Sequence, residues 1–247
     1  MLAKVLSQRK MITNSEIKLI RSLKEKKYRE EHGLFVVEGE KMVNEALNST
    51  FEVVRVFYRE EIGEKAMERI SLLNTPSPVL AVVRIPEDGV VLPSERGLYL
   101  ALDSIRDPGN LGTIIRLADW FGVNGIFASY DTVDVYNPKT IQSTMGAVFR
   151  KKVHYCNIES LCRDFVAGGY PVYGTFMDGE DIYGADLSGN ALIVMGNEAN
   201  GISPAVASAV SSRIHIPSFA KGPTAESLNV AVATAVTISE FRRRNRV

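Results

Sequence analysis

Residues 213–240 read RIHIPSFAKGPTAESLNVAVATAVTISE. A short apolar strand over residues 214–216 stops at Pro217, and a loop carrying Gly222 and Pro223 follows. Both residue types mark turns. Ser227 is placed to cap a helix. The run of Ala, Val, Thr and Ile after it is apolar on nearly every face, so this helix is expected to be buried in a core or against a second chain. Ser227 and Asn229 therefore put two polar side chains at the mouth of a buried helix. From this stretch alone, an ordinary capped helix and a ligand-binding helix mouth are both open.

Two upstream segments repeat the pattern of strand, polar loop and helix. An apolar strand over residues 191–195 runs into Gly196-Asn197-Glu198-Ala199-Asn200-Gly201-Ile202-Ser203, and Ser203-Pro204 begin a helix by a cap-plus-proline device. Another strand, residues 98–102, runs into Asp103-Ser104-Ile105-Arg106-Asp107-Pro108-Gly109-Asn110-Leu111-Gly112. In the helix after it, Ile114, Leu117, Ala118 and Phe121 keep the i, i+3, i+4, i+7 spacing. Arg116 falls off that stripe and is free to meet a ligand; a surface pair with Asp119 or Asp103 is the plainer alternative. Between these segments the pattern predicts a strand at 125–129, a helix from Asn137-Pro138 to about residue 149, a helix at 158–166 and a strand at 170–176 that ends in Gly174-Thr175-Phe176-Met177. In an open parallel α/β sheet, ligands bind beyond the carboxyl ends of the strands, which is where the loops 103–112, 196–203 and 217–227 fall. The Gly109/Gly112 spacing is not a dinucleotide fingerprint, and Lys221-Gly222-Pro223-Thr224 is not a P-loop, which disfavours nicotinamide dehydrogenases and P-loop nucleotidases.

The first third of the chain alternates differently. Asn14 and Ser15 can cap a helix with an Ile17/Ile20/Leu23 stripe. Strands are expected at 34–37, 53–58 and 79–83 and helices at 40–47 and 60–73, a small α/β domain. Pro86, Gly89, Pro93 and Gly97 then mark a boundary near residues 86–96, which separates a domain at 1–92 from one at 97–247.

At 247 residues, 45% hydrophobic and 23% charged, the chain has the composition of a soluble globular protein with room for two domains. The formal net charge is zero, yet Lys18, Arg21, Lys24, Lys26, Lys27 and Arg29 crowd one end, and Arg242, Arg243, Arg244 and Arg246 the other. Such clusters are the footprint of nucleic-acid binding, although a solvated helix face has the same appearance. Two cysteines, Cys156 and Cys162, are too few for a disulfide framework and read as reduced thiols of a cytoplasmic protein. No apolar run reaches membrane-spanning length, no signal-peptide pattern opens the chain, and the three histidines show no metal-ligand spacing.

Taken together, Asn110-x-Gly112-x-x-x-Arg116, Ile193-Val194-Met195-Gly196-Asn197-Glu198-x-x-Gly201-Ile202, and Ile216-Pro217 with Ser227-Leu228-Asn229-Val230 resemble the three motifs of the SpoU (TrmH-type) branch of the SPOUT RNA methyltransferases. The match runs over roughly residues 97–242 with order and spacing kept. The amino-terminal part, with Phe35-Val36-Val37-Glu38-Gly39 and Glu45-Ala46-Leu47, resembles more weakly the small RNA-binding domain, similar to a ribosomal protein, that many members carry.

The resemblance implies an α/β fold with a parallel sheet and a deep trefoil knot, a topology general rules would not suggest. It implies 2′-O-ribose methylation of RNA with S-adenosylmethionine and no metal, by a homodimer. The extra domain favours ribosomal over transfer RNA. Carried over by position, the donor is expected against Thr175, Met195, Gly196, Asn197, Ile216, Leu228 and Asn229. Arg116 is expected to act on the ribose hydroxyl, facing the partner's donor site, with Asn110, Glu198, Ser227 and Asn229 in support. Glycine at 196 is expected to let the ligand approach the backbone. A guanidinium rarely gives up its proton, so stabilising the alkoxide or holding a phosphate suits Arg116 better than general-base catalysis. A transfer-RNA enzyme, a base methyltransferase of another branch and a non-catalytic RNA-binding protein are the alternatives.

Overall fold

The computed structural model describes residues 11–87, 96–223 and 225–245. Most of the expected boundary segment, and Arg246 of the basic end, lie outside the described residues. The described residues fall into two compact units, one running up to residue 87 and including Tyr136–Gln142, the other holding the remainder.

In the first unit, α1 (Asn14–Ser22), α2 (Lys26–His32), β1 (Leu34–Glu38), α3 (Glu40–Leu47), β2 (Val53–Tyr58), α4 (Arg59–Ile62), α5 (Glu64–Ile70) and β3 (Val79–Arg84) follow one another. Strand β3 sits between β1 and β2 and pairs antiparallel with both. Ile17, Ile20 and Leu23 are buried as their spacing predicts, packed with Met67, Ile70, Leu80 and Val82. The cap of α1 is Thr13, one residue before the expected pair: its hydroxyl accepts from the Glu16 amide and Glu16 returns the bond, a capping box. Gly63 divides the single helix expected over 60–73 into α4 and α5.

The basic run is likewise broken, with residues 23–25 separating α1 from α2. Lys18, Arg21, Lys24, Lys26 and Lys27 are exposed. Arg29 is not: it is 2% exposed, and its Nη1 donates to the carbonyls of Leu23 and Lys24, both at 2.8 Å. It ties the turn between the helices instead of facing a phosphate, and this corrects its assignment to the RNA-binding set.

The second unit is a six-stranded sheet of β4 (Leu98–Leu102), β5 (Gly125–Ala128), β6 (Val153–Tyr155), β7 (Val172–Asp181), β8 (Ala191–Met195) and β9 (Ser212–His215) in the order β6-β5-β4-β8-β7-β9, every pair parallel. Helices α6 (Pro108–Trp120), α8 (Ile158–Ala167) and α9 (Pro204–Ala207) lie in its connections, and α10 (Val230–Arg244) follows the last strand; α7 (Pro138–Thr144), between β5 and β6 in sequence, falls mostly in the first unit. Strands β4 and β8 read as unbroken apolar runs because both of their faces are buried. The helix expected from Pro138 to about residue 149 stops at Thr144, because Met145 and Gly146 take positive φ, and a short 3₁₀ turn, Ala147–Phe149, follows. Strand β7 outruns its expected end and pairs with β9 twice, on either side of an irregularity between Thr175 and Glu180.

Helix α10 buries Val230, Ala231, Thr234, Thr237, Ile238 and Phe241, and Phe241 meets Tyr173 edge-on at 5.1 Å. The basic end has internal partners. Arg242 donates to the carbonyls of Phe121 (2.9 Å) and Gly122 (2.6 Å), placing a cation at the carboxyl end of α6. Arg243 and Arg244 grip Glu240, each at 2.7 Å. Burial pushes the Cys156 thiol up and the Cys162 thiol up to about 12, so neither is a ready thiolate. No helix of the described residues is long and apolar enough to cross a membrane.

Candidate active site

Strands β4 and β8 are neighbours in register, Leu102 opposite Met195, and the sheet order reverses direction between them. Asp103 and Gly196 therefore leave the sheet side by side, with the Asp103 amide donating to the Met195 carbonyl at 2.9 Å. Such a reversal point is where α/β sheets open a crevice.

The loop after β8 is held by its own groups. The Asn197 and Gly201 backbones exchange two hydrogen bonds of 2.9 Å each. Asn197 Oδ1 accepts from the amides of Ala199 and Asn200, and its Nδ2 donates to the Ser104 carbonyl at 2.8 Å. Asp103 Oδ2 receives the Ser203 amide at 2.7 Å. Gly201 closes the turn at φ 68°, where glycine pays no Cβ penalty. A Cβ on Gly196 would lie 2.3 Å from the Gly201 carbonyl carbon and 2.4 Å from the Ile202 nitrogen. Glycine is needed at 196 because this loop folds back onto it, a reason the sequence did not show.

Three polar side chains from three loops meet in a chain. Asn229 is the actual cap of α10: its Oδ1 accepts from the amides of Ala231 (2.9 Å) and Val232 (3.3 Å). Ser227, expected to be the cap, lies outside the helix and is exposed. With Oδ1 committed, Asn229 Nδ2 donates to Asn110 Oδ1 at 3.0 Å, and Asn110 Nδ2 donates to Glu198 Oε1 at 2.6 Å. The polarity of the chain is set at both ends, since helix amides can only donate and a carboxylate oxygen here accepts. Asn110 itself is held in the first turn of α6, its amide on the capping carboxylate of Asp107 at 2.9 Å. Glu198 thus serves Asn110 and not Arg116.

Arg116 is exposed and makes no hydrogen bond or ion pair among the described residues. Asp119 is taken by Arg150 at 2.9 Å, and Asp103 by Ser203, so the plainer pairing does not occur. Six residues of α-helix turn Arg116 by roughly 120° from Asn110. It lies instead along Thr113 and Trp120, the latter 85% exposed. Helix α10 packs against α6 and leaves Val232 52% exposed.

Thr175 donates to the Val194 carbonyl at 3.0 Å, bridging β7 and β8 behind the crevice. Beyond β9 the chain changes character. Among the described residues, the segment from Ile216 to Leu228 forms no backbone–backbone hydrogen bond, and Leu228 is half exposed. Apart from the Ala220 amide, which donates to Ser218 Oγ at 3.3 Å, its described amides and carbonyls are open to a ligand that offers several polar edges. An adenine ring and an amino-acid moiety offer such edges, so this donor set fits S-adenosylmethionine.

Residues 97–239 match the model of the SpoU rRNA methylase family, and residues 14–82 that of an MRM3-like substrate binding domain. The 23S rRNA (guanosine(2553)-2′-O)-methyltransferase RlmP of Bacillus subtilis is 31% identical over 93% of this chain and 96% of its own length. Among solved structures, an AdoMet-bound rRNA methyltransferase from Sinorhizobium meliloti is 31% identical with a TM-score of 0.84, covering 96% of this chain and 99% of that one. The SpoU methyltransferase AviRb from Streptomyces viridochromogenes, in complex with AdoMet, is 25% identical with a TM-score of 0.83, covering 94% and 98%.

Proposed function

Because the chain belongs to the SpoU rRNA methylase family, we propose that it methylates a ribose 2′-hydroxyl of ribosomal RNA with S-adenosylmethionine, and that the residues joined by the Asn229–Asn110–Glu198 chain frame its site. That chain is the observation that carries the reading: it draws the three sequence motifs together at the reversal point of the sheet.

Met195, Gly196, Asn197, Ile216, Leu228 and Asn229 hold the donor in this reading, with Thr175 behind them. The bound donor supplies an already activated methyl group. What remains for the protein is the acceptor: the hydroxyl must shed its proton as its oxygen takes the methyl, and the charge that develops needs stabilisation. Arg116, a permanent cation without a competing partner among the described residues, suits that task or the grip on the neighbouring phosphate. Glu198 and Asn110 hold the first and second loops together, and Ser227, exposed beside the cap, is open to the RNA.

Arg116 points off the Asn110 face, so it reaches a donor site most readily on a second copy. We assign the exposed stripe of Thr113, Arg116 and Trp120, with Val232 on the adjoining helix, to a homodimer face. A deep trefoil knot in the carboxyl-terminal part of the chain belongs to the same reading, as does a cytoplasmic setting. In the first unit, exposed Lys18, Arg21, Lys24, Lys26 and Lys27 track phosphates, which positions an RNA without reading its sequence.

The test is methylation of ribosomal RNA followed by alkaline cleavage, in which a 2′-O-methylated linkage leaves a gap in the ladder. Arg116→Ala should keep donor affinity by calorimetry yet lose about a hundred-fold or more in rate. Mixing it with a donor-loop variant should restore part of the activity if the arginine works across the dimer. Near-normal turnover in Arg116→Ala removes that residue from the mechanism.

A further inference from the structure

We propose that Ser104 and Asp131 are positioning residues for the donor loop: Asp131 pins Ser104 in a left-handed backbone conformation, and that conformation aims the Ser104 carbonyl at Asn197. The inference rests on residues 196–201 being that loop. Neither residue belongs to the three motifs.

Ser104 is a backbone outlier. Ser104 has φ 62°, and among the described residues only it and Met145 take positive φ without being glycine. For an L-residue this brings Cβ against the backbone, and such strain persists only where the surroundings over-determine it. Here they do so. The Ser104 amide donates to Ser129 Oγ at 2.8 Å, and Ser104 Oγ donates to Asp131 Oδ2 at 2.7 Å. Ser129 Oγ in turn donates to Asp131 Oδ1 at 2.6 Å, and Arg106 Nη2 donates to Oδ2 at 2.7 Å. Both carboxylate oxygens are used, each toward the turn that bears Ser104. The hydrogen bond from Ser129, followed by those from Ser104 and the charge of Arg106, holds the Asp131 carboxyl below the usual carboxylate range.

On the other side of Ser104 stands the donor loop. Its carbonyl is the acceptor for Asn197 Nδ2, and Asn197 Oδ1 organises the amides of Ala199 and Asn200. Asp103, the preceding residue, holds the Ser203 amide. Two consecutive residues thus clamp the loop near both of its ends. Were Ser104 to relax to negative φ, its carbonyl would rotate away and Asn197 would lose its orientation. Asp131 acts on the donor loop only through Ser104.

The experiment measures S-adenosylmethionine affinity by calorimetry on the full chain, alongside RNA KM and kcat at saturating donor. Asp131→Ala removes the pin, and Ser104→Val places a β-branched residue where positive φ is hardly accessible. Each should weaken donor affinity roughly five- to ten-fold, the worth of about one hydrogen bond. RNA KM and kcat should stay within about two-fold, a split that general loosening of the fold would not give. Ser104→Gly adopts positive φ freely and should recover most of the affinity lost in Ser104→Val. Should Ser104→Val fail to fold, Asp131→Ala, altered at an exposed carboxylate, decides alone. Wild-type donor affinity in Asp131→Ala, or equal losses in donor affinity, RNA KM and kcat, overturns the inference. A wild-type chain that does not bind S-adenosylmethionine overturns the functional reading beneath it as well.

Discussion

Loop 196–203 carries its own hydrogen-bond framework, whereas residues 216–228 form no backbone–backbone bond among the described residues. Both leave carboxyl ends of the same parallel sheet, and both are assigned to one ligand. The first is ordered before the ligand arrives, so its geometry selects. In the second, the Ala220 amide apart, the described amides and carbonyls have no partner, so in this assignment the ligand supplies partners and part of the binding energy is used in ordering.

The harshest way to break this contrast is Gly196→Ala. Its Cβ would press on the Gly201–Ile202 backbone at 2.3–2.4 Å, which no side-chain movement relieves. Donor affinity should fall by about a hundred-fold or more, the equivalent of roughly 3 kcal/mol of backbone displacement, while the sheet stays folded. Calorimetry together with circular dichroism reads both; donor binding within a few-fold of wild type would show that the first loop is softer than its bonding implies.

Amide exchange compares the walls directly. In the free protein the Asn197, Gly201 and Ser203 amides should be protected, and those of 216–228 nearly unprotected. Adding S-adenosylmethionine should slow the second group by about ten-fold or more and change the first little. Equal protection of both loops without donor would erase the distinction.

A smaller effect is expected at the link between the walls. Asn110→Ala removes the bridge from the Asn229 cap to Glu198 while leaving the cap itself in place. The single-turnover rate should drop about five- to ten-fold, as for one or two lost hydrogen bonds, with donor affinity changed less than about three-fold. A rate equal to wild type would leave the bridge without a catalytic part.

The smallest effect lies at the far end of α10, the helix that anchors the open wall. Hydrogen bonds from Arg243 and then Arg244 hold the Glu240 carboxyl at about 2, below its ordinary 4.5. A depressed carboxyl contributes stability above its unfolded pKa and loses it as pH falls through the folded value. Wild-type thermal stability should therefore decline between about pH 4.5 and 2 more steeply than that of Glu240→Gln, by a few degrees at most. Parallel acid profiles would show that the pair does not anchor the helix.

Much of this was legible in the linear pattern because it is local. Apolar periodicity located the β4–α6 and β8 segments, the Ile17/Ile20/Leu23 stripe and the off-stripe position of Arg116. Strand-then-loop order, together with the resemblance, pointed to the three loops. The errors fell where a local rule had two candidates. Ser227 and Asn229 are both good cap types two residues apart, and only the course of the chain into α10 decided for Asn229. Arg29 reads as one more cation of a basic run until the turn at residues 23–25 brings two carbonyls onto it. Gly196 was marked as special for a ligand's sake, and nothing in the sequence shows that Gly201 also folds back against it.

What the sequence determined by itself, then, is most of the strands and helices, α2 and β6 excepted, which loops carry polar side chains beyond the strand ends, and which family the pattern resembles. Only the tertiary structure decided how those side chains are spent. Asn110 meets Glu198 across 88 positions and Asn229 across 119, and Asn197 reaches the Ser104 carbonyl across 93. A hydrogen bond is a matter of about 3 Å and of angle, and neither is encoded by spacing once the partners lie on different elements of the fold. The parallel sheet fixes those distances, and with them it decides that Asn110 and Asn229 join a frame while Arg116 is left facing outward.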